Sequence, residues 1–241
     1  MDNGLRKKID ETSGGLRNIY NIISDRKKAA RRIVDDSTMD EAKLKIMESY
    51  LPVFQNDYRE LLDYAASHSS PIPIGNNYPW HARIAIEKLL DEACKLAGEA
   101  PVRILCGSMP ERFYNSTLIN KMEECIKNGV NIKVVVWNRT ESYIGQSIQQ
   151  IANKGESRDR LQIRIRHIDP TEFPIPHFTL VGENAYRCEE EHEVFAEDEE
   201  YSNFSPPMPA VILFKDPQTV ETLDKLFYRA WEQSDDLVAA N

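Results

Sequence analysis

The chain has 241 residues, 29% of them charged and 41% hydrophobic, with a net charge of -9. That length supports one ample core, or one domain with an appendage. No apolar run approaches the roughly 18 residues that a membrane helix needs, and Met1 to Lys8 has no apolar segment behind its basic residues, so neither a membrane span nor a secretory leader is expected.

The first part of the chain reads as helical. Leu16, Ile19, Ile22, Ile23, Ala30 and Ile33 recur at helical spacing. Asp35 to Thr38 ends this helix and caps the next, with Thr38 and Glu41 in capping-box register. A second apolar stripe follows through Leu44, Met47, Leu51, Phe54, Tyr58, Leu61, Leu62 and Ala65, and Pro52 is expected to kink it or to start a new helix. Two such helices need a partner, either the downstream domain or a second chain. This N-terminal helical segment is placed at residues 1–68. Residues 69–78, rich in Pro, Gly and polar side chains, are expected to be a linker.

From residue 79 onward helices and strands alternate. Pro79 opens a helix that carries Ile84, Ile86, Leu89, Leu90, Ala93 and Leu96. Val102 to Cys106 reads as a strand, and Ser116 to Lys127 as a helix closed by Asn128-Gly129. A buried strand is expected over Asn131 to Trp137 and a helix over Glu141 to Asn153. A half-buried strand follows at Leu161 to Arg166, then a hairpin over residues 177–189. Ala210 to Phe214 is a last strand, and Pro217 to Gln233 a closing helix with Val220, Leu223, Leu226, Phe227 and Trp231 on one face. The pattern predicts an α/β domain over residues 79–241, a mixed sheet flanked by helices.

Charge is unevenly spread. Residues 183–200 hold nine acidic side chains against Arg187 alone. The basic run Arg26, Lys27, Lys28, Arg31 and Arg32 is a candidate for phosphate contacts, because clustered cations release counterions from nucleic acid. The neighbouring Asp25, Asp35 and Asp36 favour a solvated helix face instead, so nucleic-acid binding is open but not preferred. Cys94, Cys106, Cys125 and Cys188 are widely spaced and form no C-x-x-C, which predicts reduced core thiols and a cytoplasmic setting. No phosphate loop, nucleophile elbow or metal-spaced His/Cys set is present, and no metal or cofactor is expected.

The most informative stretch is Pro176-His177-Phe178-Thr179-Leu180-Val181-Gly182-Glu183-Asn184, with its return through Arg187 and Glu189. It resembles the catalytic hairpin of the phospholipase D superfamily, which that family writes as His-x-Lys-x4-Asp. Here the His is His177, but Thr179 holds the Lys position and Asn184 the Asp position. Three other pieces add to the resemblance: Val102 to Asn115, Lys127 to Val136, and Tyr201-Ser202-Asn203-Phe204, which is similar to the family's Ser/Asn element.

The resemblance implies a phospholipase D-like fold over about residues 79–235. It also implies a chemistry in which one His attacks phosphorus, a second protonates the leaving group, and lysines hold the phosphate oxygens. In the family two motifs meet across a two-fold axis, so a single-motif chain is expected to form a homodimer, with the axis near His177 or through the N-terminal helices. A protein partner for those helices is the other arrangement. This chain has no His-x-Lys at all. The expectation is therefore a degenerate domain with no catalytic residue, acting as a regulatory, ligand-sensing or scaffolding subunit. Bacterial regulatory or anti-phage defence systems are the setting that the resemblance implies.

The candidate ligand-binding set is His177, Thr179, Arg187, Glu189 and Asn203, since strand alternation places the first four on shared faces. Either these form a polar pocket, or Arg187 and Glu189 are a satisfied ion pair beside a hydrogen-bonded His177. The rival function is a nuclease or phospholipase that uses His177 with Arg187 as a substitute cation.

Overall fold

The structure is a computed structural model and describes residues 41–76, 78–96, 100–137, 144–155, 159–166, 177–189 and 209–236. The first expected helix and the basic run at 26–32 lie outside them, as does Asn203. Helix α1 spans Glu41–Ser67 and carries Pro52 inside it without restarting there. Tyr58, Leu62 and Ala65, at helical spacing, are its buried face, with Leu51 packed beside them.

The stretch expected as a linker holds a sheet strand instead. Strand β1, Ile74–Asn76, pairs antiparallel with β7, Ala210–Leu213. The sequence sign was misleading because Pro71 and Pro73 read as loop residues, yet proline is tolerated beside a sheet-edge strand. Helix α1 also shares one buried cluster with Ile74 and with the helices and strands that follow, so residues 41–67 pack on the α/β unit.

Helix α2, Pro79–Lys95, opens on the proline as expected, and the Tyr78 backbone N–H donates to His81 Nδ1 at 3.2 Å. Strand β2 is Val102–Cys106. Helix α3, Ser116–Lys127, is capped by Asn115, whose Oδ1 accepts the Leu118 N–H at 3.2 Å. Strand β3, Ile132–Trp137, helix α4, Gln146–Asn153, and strand β4, Leu161–Arg166, follow. The hairpin is β5, His177–Val181, and β6, Ala185–Glu189. Its turn passes through Gly182 at φ +56°, a left-handed conformation that favours glycine. Helix α5, Pro217–Glu232, is capped by Asp216, and a short β8, Asp235–Asp236, ends the described chain. The sequence did not announce β8. It pairs with β4, and Arg164 Nε lies 2.8 Å from Asp236 Oδ1.

The eight strands form one mixed sheet in the order β1-β7-β6-β5-β2-β3-β4-β8, with β2, β3 and β4 parallel and the remaining pairs antiparallel. Two cores result. Helices α1 to α4 cover one face, over Ile104, Val134, Val181 and Ile212. Helix α5 covers the other, where Val220, Leu223 and Phe227 meet Phe178, Leu180 and Val211. Three layers with helices on both faces satisfy the sheet's need to bury two apolar surfaces. All four cysteines are free thiols. Among the described residues no helix is long and apolar enough to cross a membrane.

Candidate functional site

Strand alternation sorts the hairpin's side chains. Phe178 and Leu180 enter the α5 core and Val181 the opposite one, so His177 and Thr179 share Val181's face. The ladder pairs His177 with Glu189 and Thr179 with Arg187. The sheet thus brings together four of the five expected ligand residues, all with 7% exposure or less. The described residues do not include the fifth, Asn203.

Position on the sheet matters as much as composition. His177 is the first residue of β5, and β5 runs antiparallel to β2. It therefore stands at the end of the sheet where the parallel strands β2 and β3 finish, at Cys106 and Trp137. Open α/β sheets bind ligands outside the carboxyl ends of such strands. Trp137 meets the His177 ring edge-on, with centroids 5.3 Å apart.

The polar contacts form a chain. His177 Nδ1 lies 3.2 Å from Glu189 Oε1, and Arg187 Nη2 donates to Glu189 Oε2. A carboxylate only accepts, so the shared proton belongs on Nδ1. Burial alone pushes the Glu189 carboxyl up, but Arg187 and His177 together more than offset this and hold it well below the usual range. Burial acts against the Arg187 charge, and Glu189 reverses that too. The Cys106 thiol is pushed up to about 12, by burial first and then by Glu189. It is an inert thiol here.

Sequence reasoning missed three contributors. Tyr58, from α1, lies close enough to Arg187 to interact with it electrostatically, and donates its hydroxyl to the Gly75 carbonyl at 3.3 Å. Tyr114, from the loop before α3, also neighbours Arg187. Asn76, the last residue of β1, is fully buried on the same face. None carried a usable signal, because each depends on a partner distant in sequence. The chemistry available is an imidazole oriented by a carboxylate, as a base or nucleophile requires, beside a cation already neutralised by that carboxylate. Among the described residues no group of His, Cys, Asp and Glu is arranged to hold a metal ion.

No protein-family model matches the chain, and no curated protein matches it by sequence. Solved structures do match. A phospholipase D family member, Nuc from Salmonella typhimurium, is 17% identical, with 70% of this chain and 99% of that one covered at a TM-score of 0.51. NucT from Helicobacter pylori is 9% identical, covering 70% and 100%, with a TM-score of 0.45. Polyphosphate kinase from Porphyromonas gingivalis is 14% identical, covering 71% of this chain and 27% of that one, also at 0.45. Nuc carries the comparison, and with the mixed sheet and the His177 hairpin it establishes that this chain has a phospholipase D-like fold.

Proposed function

We propose that this chain is a catalytically degenerate phospholipase D-like protein that binds a small polar ligand and acts as a regulatory or scaffolding subunit. One observation carries the reading: the buried cation beside His177 is committed to Glu189, while Thr179 fills the position where the family places its lysine. Phosphoryl transfer accumulates negative charge, and an enzyme stabilises it with positive charge aimed at the reacting phosphate. Arg187 and Glu189 sum to zero, and Thr179 adds a hydroxyl but no charge. The site retains shape and hydrogen-bonding capacity and lacks the electrostatics for turnover. Assembly as a homodimer is part of the proposal. Its support is the unpaired motif and the apolar side chains exposed on α1, namely Tyr50, Val53, Phe54, Leu61 and Tyr64.

The His177–Glu189 hydrogen bond favours a second reading, an active phosphodiesterase or nuclease. It orients the imidazole through Nδ1, as a nucleophile needs. Hydrolysis of bis-p-nitrophenyl phosphate and of single-stranded DNA, measured for the wild type beside His177→Ala, separates the two. The degenerate reading expects no difference between the proteins. Turnover lost in His177→Ala would make the chain an enzyme.

A further inference from the structure

The row that holds His177 and Glu189 continues across the sheet. Glu189 pairs with Ala210 on β7, and Ala210 pairs with Asn76 on β1. Ile74 and Asn76 are the buried residues of β1, and Ile74 joins the same core as Ile212 and Val181, so Asn76 faces the site's side of the sheet. Asn76 has 0% exposure, and among the described residues neither its Oδ1 nor its Nδ2 has a hydrogen-bond partner. Arg187, in the next row, has a buried Nε that likewise lacks one among the described residues. Buried polar groups are nearly always satisfied, and an exception calls for an explanation.

The row itself supplies one. Neighbouring strands stand about 4.8 Å apart, so Asn76 and Glu189 are roughly 10 Å apart across β7. Between them in that row stands Ala210, whose side chain is a single methyl. We infer that Asn76 is a ligand-binding residue of the site, and that its amide pairs with the donor–acceptor edge of an uncharged amide- or nucleobase-type ligand.

The chemistry follows from what is unpaired. An asparagine amide sets an acceptor beside a donor, and its complement is a group with a donor beside an acceptor, as in the bidentate pairing of Asn with adenine. The Arg187 Nε–H is a further donor for a second acceptor on the same ligand. Arg187's charge is already balanced by Glu189, so a full anion would bring net negative charge into a buried place, while a neutral ligand would not. The inference rests on the ligand-binding reading above.

The test uses the full chain and four probes, adenosine, guanosine, cytidine and uridine, by calorimetric titration. At least one is expected to bind the wild type, and Asn76→Asp, which swaps the donor for an acceptor, should weaken it at least tenfold. Asn76→Val should abolish binding and raise Tm without ligand, because an apolar β-branched residue removes the unpaired amide. Equal binding by wild type and Asn76→Asp, with loss in His177→Ala, would overturn the role of Asn76 and leave the ligand-binding reading standing. A wild type that binds none of the four overturns the ligand class, and a lowered Tm in Asn76→Val overturns the ligand role in favour of a structural one. The hydrolysis assay decides the underlying reading separately.

Discussion

His177 and Glu189 face each other across the β5–β6 ladder, with Nδ1 3.2 Å from Oε1, and the same carboxylate takes Arg187 through its other oxygen. One buried carboxylate therefore orients the imidazole and neutralises the guanidinium. The pairing is a consequence of register. A slip of one residue in the hairpin would send these side chains into the α5 core, and the turn at Gly182 fixes that register.

Glu189→Gln keeps the size of the side chain and removes its charge. Arg187 would then be a buried cation without its counter-ion, and breaking such a pair costs about 3–5 kcal/mol. Urea denaturation should report a loss of that order. Replacing both residues, Arg187→Met with Glu189→Gln, should be less harmful than Glu189→Gln alone, because no uncompensated charge remains. A double variant as unstable as the single one would mean that packing, not charge, dominates.

Helix α1 belongs to the folded unit through one face only. Leu62 is fully buried in the core that α1 shares with α2 and the sheet, while its neighbour Leu61 is exposed. Leu62→Ala should cost about 2–5 kcal/mol, the range for a buried leucine truncation. Leu61→Ala, on the face assigned to the dimer, should change the stability of the monomeric chain, measured at high dilution, by less than about 0.5 kcal/mol. Guanidinium melts of both variants check this, and equal effects would show that α1 is not anchored as described.

The regular elements were legible because their signals are local. The apolar period of Val220, Leu223 and Phe227, the proline at position 79 and the Asn115 cap each announce a structure within a few residues. The His177 hairpin was legible too, through alternation and the Gly182 turn. Strand β1 was not, since a three-residue edge strand beside two prolines has no periodicity to read, and its stability comes from β7, over 130 residues away. The same holds for the approach of Tyr58 to Arg187 and for the burial of Asn76. Sequence could list the hairpin's polar residues, but it could not say which carboxylate would satisfy the arginine.

Exposed apolar residues on α1 give the dimer a concrete test. Light scattering of the full chain at micromolar concentration should return twice the 27.7 kDa mass. Phe54→Glu together with Leu61→Glu places charge on the exposed stripe and should halve that mass, while the far-UV spectrum stays unchanged. A monomeric wild type would refute the homodimer.

The pH dependence of stability should be set by His81 before Glu189. His81 is lowered to about 4 by burial, among the rings of Tyr58, Tyr78 and Trp80, and its Nδ1 accepts the Tyr78 N–H. Its folded value lies below its unfolded one of 6.5, so the unfolded chain takes up a proton that the folded chain refuses. Stability from this group is present above pH 6.5 and is lost as pH falls toward 4. Glu189, also held below its ordinary 4.5, adds its loss only at lower pH. Replacing His81 with Gln keeps an acceptor at the third helical position, as a capping box requires, and does not titrate. Thermal melts of wild type should fall in Tm between pH 6.5 and 4, and His81→Gln should flatten that slope. An unchanged slope in the variant would assign the acid sensitivity to other groups.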